Sequence, residues 1–452
     1  MTPKWAVDAI FYHIYPLGLL GAPEWNNFNQ PVDNRLDGLD PWLDHIQSLG
    51  ANAIYLGPVF QSTSHGYDTV DYTKVDRRLG TKVDLARFVE KVHQNDMRII
   101  FDGVFNHVGR DFWAFQDLMA KGEDSTYRDW FHNIRFGERS PKGDPFNYEG
   151  WHGHFSLVKL NLVHPEVREH LFSAVKMWVD DFGIDGLRLD AADCIDLEFL
   201  RALRRFTNDL REDFWLMGEV VHGDYRQWSN PATLHSVTNY ECYKGLYSSL
   251  IDRNYHEIAH TLNRQVGEEG LYRGMDLYNF VDNHDVDRVA SKLSDPTLLY
   301  PLYLLLFTMP GIPSLYYGSE WGMEGVKAHQ SDAPLRPCLD LGRISSHASD
   351  PDLPKAISSL AAIRRKSKAL RMGAYRPLDV RGQQLAFVRE TEDEKVLVLL
   401  NSSPDWVHLE LALPWKDQWV RNSLEPAEVH HIEGRKITVE VPPTWGLILQ
   451  SE

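Results

Sequence analysis

Four short segments place charged or hydrogen-bonding side chains directly after apolar runs: "RIIFDGVFNHVG", "GLRLDAA", "FWLMGEVVHGD" and "LYNFVDNHD". In the second, alternation along an extended chain sets Arg188 and Asp190 on one face and Leu187 and Leu189 on the other. A guanidinium two residues from a carboxylate favours the ionised form, which a nucleophile needs. The same pair also serves as a salt bridge inside a core. Glu219 ends the third segment among apolar neighbours. Such neighbours disfavour the charged form and suit a general acid, although a carboxylate simply satisfied at a strand end is equally compatible. His284 and Asp285 end the fourth segment, and there Asp is also suited to cap a helix. Asp102, Asn106 and His107 follow the first. An Asn-His pair is structural or, if carboxylates converge on it, metal-binding.

These side chains act together only if the fold gathers them. Short apolar strands alternate with amphipathic helices along the first ~370 residues; the strands are "IFYHIYPL", "AIYLGPVF", "RIIFDGVF", "GLRLDAA", "FWLMGEVV", a weak "HSVTNY", "LYNFVDNHD" and "IPSLYYG". "HPEVREHLFSAVKMWVDDFG" is the clearest helix, with Pro165 at its start, one apolar face of Val167, Leu171, Ala174, Trp178 and Phe182, and Gly183 at its end. Eight such units fit a (β/α)8 barrel or a doubly wound sheet. Polar residues follow several strands, and only the barrel brings all those strand ends to one face. Residues 108–155 carry no strong period and read as an insertion between barrel parts 1–107 and 156–373. Residues 374–452 read as a separate antiparallel β-sandwich. The stretch "HGYDTVDYTKVDRRLG", residues 65–80, reads as a polar loop after the second strand.

Bulk properties narrow the partners. A formal net charge of -17 argues against nucleic acid and anionic membrane surfaces. An aromatic share of 12% serves mainly the core, and some rings suit a sugar cleft, where pyranose faces stack on them. The 3 cysteines, Cys194, Cys242 and Cys338, give neither a disulfide framework nor a metal cluster. The N-terminal stretch has no secretory pattern, and the most apolar segment is broken by Pro and Gly, so the expected location is cytoplasmic. On the common face of a barrel, paired carboxylates in a sugar-sized cleft suggest glycoside hydrolysis. A separation of ~5–5.5 Å would make it retaining.

Taken in order, "DGVFNH", "GLRLDAA", "GEVVH" and "FVDNHD" resemble the four signature regions of the α-amylase family, glycoside hydrolase family 13, and "GIPSLYYGSEWGMEG" resembles its eighth-strand segment. The resemblance spans essentially the whole chain. It implies that Asp190 is the nucleophile, Glu219 the general acid/base and Asp285 the stabiliser of the transition state. It further implies that Tyr67, His65, His107, Arg188 and His284 bind the sugar at the cleaved position and that Asp332 and Arg336 grip the next sugar. His222 and Trp151 are added as substrate contacts, and Asp102 as a partner of Arg188.

"YEGWHGHFSLVKLN" is similar to a segment of the neopullulanase and cyclomaltodextrinase branch, with Val158 where that branch usually has Pro. Val221 replaces a Trp common there. Calcium-dependent relatives have Asp at Lys159 and His at Cys194, so no calcium is expected at that site; no metal-binding or cofactor-binding residue is assigned, and a metal elsewhere is left open. The branch's extra N-terminal β domain, which assists dimerisation, has no counterpart before residue 8; a monomer or homodimer is expected. The resemblance implies a retaining α-glucoside hydrolase for short or cyclic maltooligosaccharides, with cyclic maltosyl-maltose and pullulan as further candidates. A transglycosylase or glucoside isomerase on the same scaffold is the alternative. A non-catalytic relative acting as a binding subunit is a third, and such relatives typically lose the acidic residues kept here.

Overall fold

In the computed structural model, which describes residues 2–329, 331–346, 349–416 and 418–451, the eight apolar runs form one parallel sheet. Its strands are β1 (Phe11–Ile14), β2 (Ala53–Leu56), β3 (Arg98–Gly103), β4 (Gly186–Leu189), β5 (Trp215–Gly218), β6 (Ser236–Val237), β7 (Tyr278–Asn279) and β8 (Ile312–Tyr316). The spatial order is β6-β5-β4-β3-β2-β1-β8-β7. A parallel bridge between Thr238 and Tyr278 joins the two ends and closes the barrel. The strands read as nearly continuous apolar runs because both faces are buried. Phe11, Ala53, Ile100, Trp215 and Tyr278 fill the interior, with Phe11 stacked on Trp215 at 5.2 Å.

The helix Pro165–Phe182 buries the apolar face expected of it and stops at Gly183, whose φ of 71° is the left-handed conformation that glycine adopts without strain. The helix Leu299–Thr308 is buried at every position except Tyr300. Its carbonyl end receives Arg364, which donates to Phe307 O at 2.9 Å, and Arg389, which donates to Thr308 O at 2.7 Å. Arg389 lies on the C-terminal strand Gln384–Glu390, so one helix end fastens the barrel to the β domain.

Two local readings change. Thr69–Val75, expected as loop, is a strand paired antiparallel with Phe60–Ser62. The hairpin lies outside the barrel and needs only one buried flank: Thr69, Tyr72 and Val75 are buried while Thr73 and Lys74 are exposed. Polar composition therefore does not exclude a strand there. Within residues 108–155, a helix spans Trp113–Lys121 and buries Ala114, Phe115 and Leu118. Nine residues are too few for a period to stand out in an aromatic-rich stretch. A three-stranded antiparallel sheet of His107–Gly109, His154–Lys159 and Gly150–Trp151 ties this region to the end of β3.

Beyond residue 374, six antiparallel strands (Ala374–Val380, Gln384–Glu390, Lys395–Asn401, Trp445–Ser451, Gln418–Asn422 and Val429–Ile432) face the pair Val407–Ala412 and Lys436–Val441. Val388, Leu397 and Leu399 of the first sheet share a core with Leu409, Leu411, Val439 and Val441 of the second. Among the described residues, no helix is long and apolar enough to cross a membrane.

Candidate active site

Strand register assembles the centre of the site. Arg188 on β4 stands level with Asp102 on β3, and alternation points both into the barrel mouth. Its Nη1 reaches Asp102 Oδ1 at 2.8 Å and Asp190 Oδ1 at 3.1 Å, and its Nη2 reaches Glu219 Oε2 at 2.7 Å. One cation thus serves three carboxylates. After Asp190 the chain turns sharply through Ala191, at φ 45°, and the Ala191 N–H donates to Glu219 Oε2 at 3.1 Å. Glu219 can stand this close only because Gly218 precedes it: a Cβ there would meet Leu234 Cδ1 at 2.4 Å and Ala192 Cβ at 2.7 Å. The apolar surroundings expected for Glu219 are therefore replaced by a guanidinium and a backbone N–H. Sequence neighbours do not report what the adjacent strand delivers.

The second group is built on the β2 hairpin and the β7 end. Tyr67 donates from its hydroxyl to Asp102 Oδ2 at 2.9 Å, lies 2.5 Å from His284 Nε2, and its ring stacks on that of His284 at 5.3 Å and 7°. Tyr55 donates to the same Asp102 oxygen at 2.7 Å. His284 Nε2 is 3.0 Å from Asp285 Oδ2. Arg336 donates to Asp285 Oδ1 at 2.8 Å, Asp332 Oδ2 at 2.9 Å and His284 O at 3.0 Å. Asp285 caps no helix; Asp282 does that work, accepting from the Val289 N–H at 2.9 Å. Asp68 holds the hairpin tip by accepting from the Ser64 N–H and hydroxyl at 3.1 and 2.6 Å, and Asp76 pairs with buried Arg78 at 2.8 Å.

Asp190, Glu219 and Asp285 line one cleft of ≈ 970 Å³ together with His65, Tyr67, His107, Trp151, His222, Asp332 and Arg336, while Arg188, Asp102 and His284 pair with these residues from behind. His107 Nε2 lies 3.7 Å from Asp190 Oδ2, and the Trp151 ring is 5.5 Å from that of His107. His222 is exposed at the rim and His65 is partly exposed. Among the lining residues that escaped the sequence reading, three make polar or ring contacts with the candidate site residues. Tyr240 donates to Glu219 Oε1 at 3.4 Å. Tyr15 stacks on His284 at 5.9 Å, carries Arg336 over its ring at 4.7 Å and donates to His65 O at 2.8 Å. Lys327 pairs with Asp332 at 2.8 Å. Tyr15 directly follows β1 and Tyr240 ends the weak strand candidate "HSVTNY", so both were findable as polar-tipped rings at strand ends; Lys327 lies in a segment with no distinguishing pattern.

Burial pushes the Asp190 carboxyl well above its ordinary range; Arg188 opposes this, while Glu219 and Asp102 add to it. The expectation that the Arg188 guanidinium holds Asp190 ionised meets opposition: Arg188 does favour the charged form, but burial outweighs it and the cation is shared. Asp102, Asp190 and Glu219 share that one cation. Burial would also raise Asp285, but His284 and Arg336 outweigh it and hold that carboxyl below the usual range. Burial, then the neighbouring His65, push His107 down to about 3, so its imidazole is neutral. The site therefore offers Asp285 held ionised, Asp190 raised by burial beside a shared cation, and a neutral His107 imidazole.

The position where calcium-dependent relatives bind their ion does not suit one here. Asn106 Oδ1 is buried without a hydrogen-bond partner, but the residue where those relatives carry Asp is Lys159, whose ammonium pairs with Glu149 at 2.7 Å. Cys194, a soft sulfur donor, lies 3.5 Å from His152 Nε2. Calcium requires several hard oxygen ligands, and this set does not supply them. Among the described residues, no group of three or more His, Cys, Asp or Glu is placed to hold a metal ion.

Residues 24–352 match the alpha amylase catalytic domain, and residues 375–445 match the maltogenic amylase C-terminal domain. The chain belongs to the α-amylase family. It is 30% identical to a cyclomaltodextrinase of Geobacillus thermopakistaniensis (strain MAS1), over 99% of this chain and 77% of the relative. It is 32% identical to neopullulanase 2 of Thermoactinomyces vulgaris, over 99% of this chain and 78% of that one. Among solved structures, the cyclic α-maltosyl-(1→6)-maltose hydrolase of Arthrobacter globiformis superimposes with a TM-score of 0.83 at 27% identity, covering 99% of both chains. This α-amylase family chain is a glycoside hydrolase of α-glucans.

Proposed function

We propose that the enzyme cleaves α-1,4-glucosidic bonds of short or cyclic maltooligosaccharides by a retaining mechanism, with Asp190 as nucleophile and Glu219 as general acid/base. The observation that carries this reading is the pairing of Asp190 and Glu219 with the two arms of one Arg188 guanidinium at the floor of the cleft. Sharing one fork suits the ~5–5.5 Å carboxyl separation of retaining enzymes better than the ~6.5–9.5 Å of inverting ones.

An Asp190 oxygen bonds to the anomeric carbon as the glycosidic C–O bond breaks, and the leaving oxygen takes the proton from Glu219. A water then returns a proton to Glu219 while its oxygen bonds to the anomeric carbon and releases Asp190. Asp285, held ionised by His284 and Arg336, binds sugar hydroxyls and offsets the positive charge that develops on the ring. Tyr67 supplies an apolar floor; its ring is only 8% exposed, so its use is one face against a single sugar. His107, Trp151, His284 and His65 surround that sugar, Asp332 and Arg336 take the next one, and His222 lies on the leaving-group side.

Preference for short or cyclic glucans rests on the activities for which the similar proteins are named and on the cleft size; pullulan is a further candidate. Val221 lies in the cleft where the branch usually has Trp, which opens the leaving-group side and leaves room for a sugar acceptor as well as water. No calcium is required, given Lys159. Three free cysteines suit a reducing, cytoplasmic compartment. A monomer or homodimer is the proposed state.

The test is turnover of linear, branched and cyclic glucans with identified products and anomeric configuration, beside Asp190→Asn. Retained configuration and a loss of roughly 10⁴-fold or more in the variant are expected. Inverted products, or turnover by Asp190→Asn near that of the parent, would refute the mechanism. Dominant transfer products would reassign the enzyme to transglycosylation.

A further inference from the structure

We infer that Tyr240 is a positioning residue that fixes the acid proton of Glu219 on Oε1, through a bridge that runs from Glu219 by way of Tyr240 and Asn283 to Asp285. The inference rests on the assignment of Glu219 as the acid and adds which oxygen carries the proton and what holds it.

The two oxygens of Glu219 have unlike surroundings. Oε2 accepts from Arg188 Nη2 at 2.7 Å and from the Ala191 N–H at 3.1 Å. Both groups donate only, and neither can accept a proton carried on Oε2. A proton there would point at two donors and displace one of them. Oε1 has a different neighbour, the Tyr240 hydroxyl at 3.4 Å. A hydroxyl both donates and accepts, so it meets Oε1 in either protonation state by rotating its own hydrogen. The proton therefore resides on Oε1, and Tyr240 is the protein group that accommodates its departure and return.

Tyr240 is itself located from the other side. Its oxygen accepts from Asn283 Nδ2 at 3.2 Å, and Asn283 Oδ1 accepts from the Asp285 N–H at 2.8 Å. This bridge crosses the cleft wall from the β5 end to the β7 end. The ring is wedged edge-on against Phe280 at 5.0 Å and Tyr243 at 6.0 Å. Tyr240 opens the helix Tyr240–Ile251, whose first N–H groups are capped by Asn239 accepting from the Cys242 N–H at 3.2 Å. The hydroxyl is thus carried on a rigid helix start. Burial, then Glu219 and Asp285, keep its phenol neutral. No ionised tyrosinate competes with the acid.

The consequence is a dependence on the leaving group. Proton donation matters when the departing group is a sugar alkoxide and hardly matters when it is fluoride. Tyr240→Phe keeps the ring and its packing and removes only the hydroxyl. We expect it to lower kcat on a maltooligosaccharide by about tenfold or more while α-maltosyl fluoride is turned over within roughly threefold of the parent rate. Asn283→Ala, which leaves the hydroxyl but unties it, should give the same selectivity at smaller amplitude. Glu219→Gln is the control and should show the selectivity most strongly.

Equal losses on both substrates in Tyr240→Phe would make Tyr240 a binding or packing residue and overturn the inference. Unchanged kinetics on both would overturn it also. If Glu219→Gln itself shows no selectivity, the acid assignment fails first. Selectivity in Glu219→Gln without any in Tyr240→Phe rejects the Tyr240 bridge alone. Circular dichroism and thermal melting of each variant establish that it is folded.

Discussion

Replacing Arg188 by Met removes the one cation that Asp102, Asp190 and Glu219 share while keeping much of the side-chain volume. The Arg188 side chain is 4% exposed, so water cannot take its place freely. A hydrogen bond to a charged group contributes ~1.5–3 kcal/mol. At about 1.36 kcal/mol per pH unit, loss of the 3.1 Å contact to Asp190 should raise that carboxyl by roughly one to two units. The sign follows directly: without the cation, protonation of the nucleophile sets in at higher pH. The acid limb of the kcat/KM profile on a short maltooligosaccharide should move to higher pH by about that amount, with ~10–100-fold lower activity on that limb.

Stability should fall as well, by up to ~3–5 kcal/mol, because buried carboxylates lose their partner. The fall is moderated because Tyr55 and Tyr67 still donate to Asp102, at 2.7 and 2.9 Å. Arg188→Lys restores a charge but not the fork, and its acid limb should lie between the other two. A folded Arg188→Met enzyme whose acid limb coincides with that of the parent would refute the claim that Arg188 keeps the nucleophile available.

Acid sensitivity follows from the buried histidines. Burial, then Arg204, push His235 down to about 3, and its Nδ1 accepts from the Leu216 N–H at 2.9 Å, which requires the neutral ring. The unfolded chain protonates near the ordinary value of about 6.5 while the folded one does not, so stability falls as pH drops through that value toward about 3. His107 acts in the same direction, and Asp190, raised by burial, acts in the opposite one. His235→Asn should flatten the dependence of denaturant-derived stability on pH between 6 and 4 by about 1.4 kcal/mol per unit; an unchanged slope would exclude His235 as a contributor. Activity and thermal midpoint should be insensitive to a calcium chelator, because Lys159, paired with Glu149, stands where calcium-dependent relatives supply a carboxylate ligand. A chelator-induced drop restored by added calcium would contradict this.

Much of the architecture was legible in the sequence because it depends on local pattern. Eight apolar runs gave the eight barrel strands, since strands buried on both faces must be apolar throughout, and the helix Pro165–Phe182 announced itself by period, opening Pro and closing Gly. The placement of Arg188 and Asp190 on one face followed from strand alternation alone. Where pattern was weak the reading failed: the strand Thr69–Val75 is half-exposed and polar, and the helix Trp113–Lys121 spans barely more than two turns.

Residue types and strand alternation thus determined by themselves which carboxylates stand at strand ends and that these ends share a face. How the charges pair was decided by tertiary structure. Register between β3 and β4, together with the Ala191 turn and the Gly218 contact, gave one guanidinium three carboxylates. Closure of the barrel brought Tyr240, Asn283 and Asp285 into line with Glu219. Electrostatic interactions depend on distance in space, and groups 21 and 28 residues apart become neighbours only once the strands are paired.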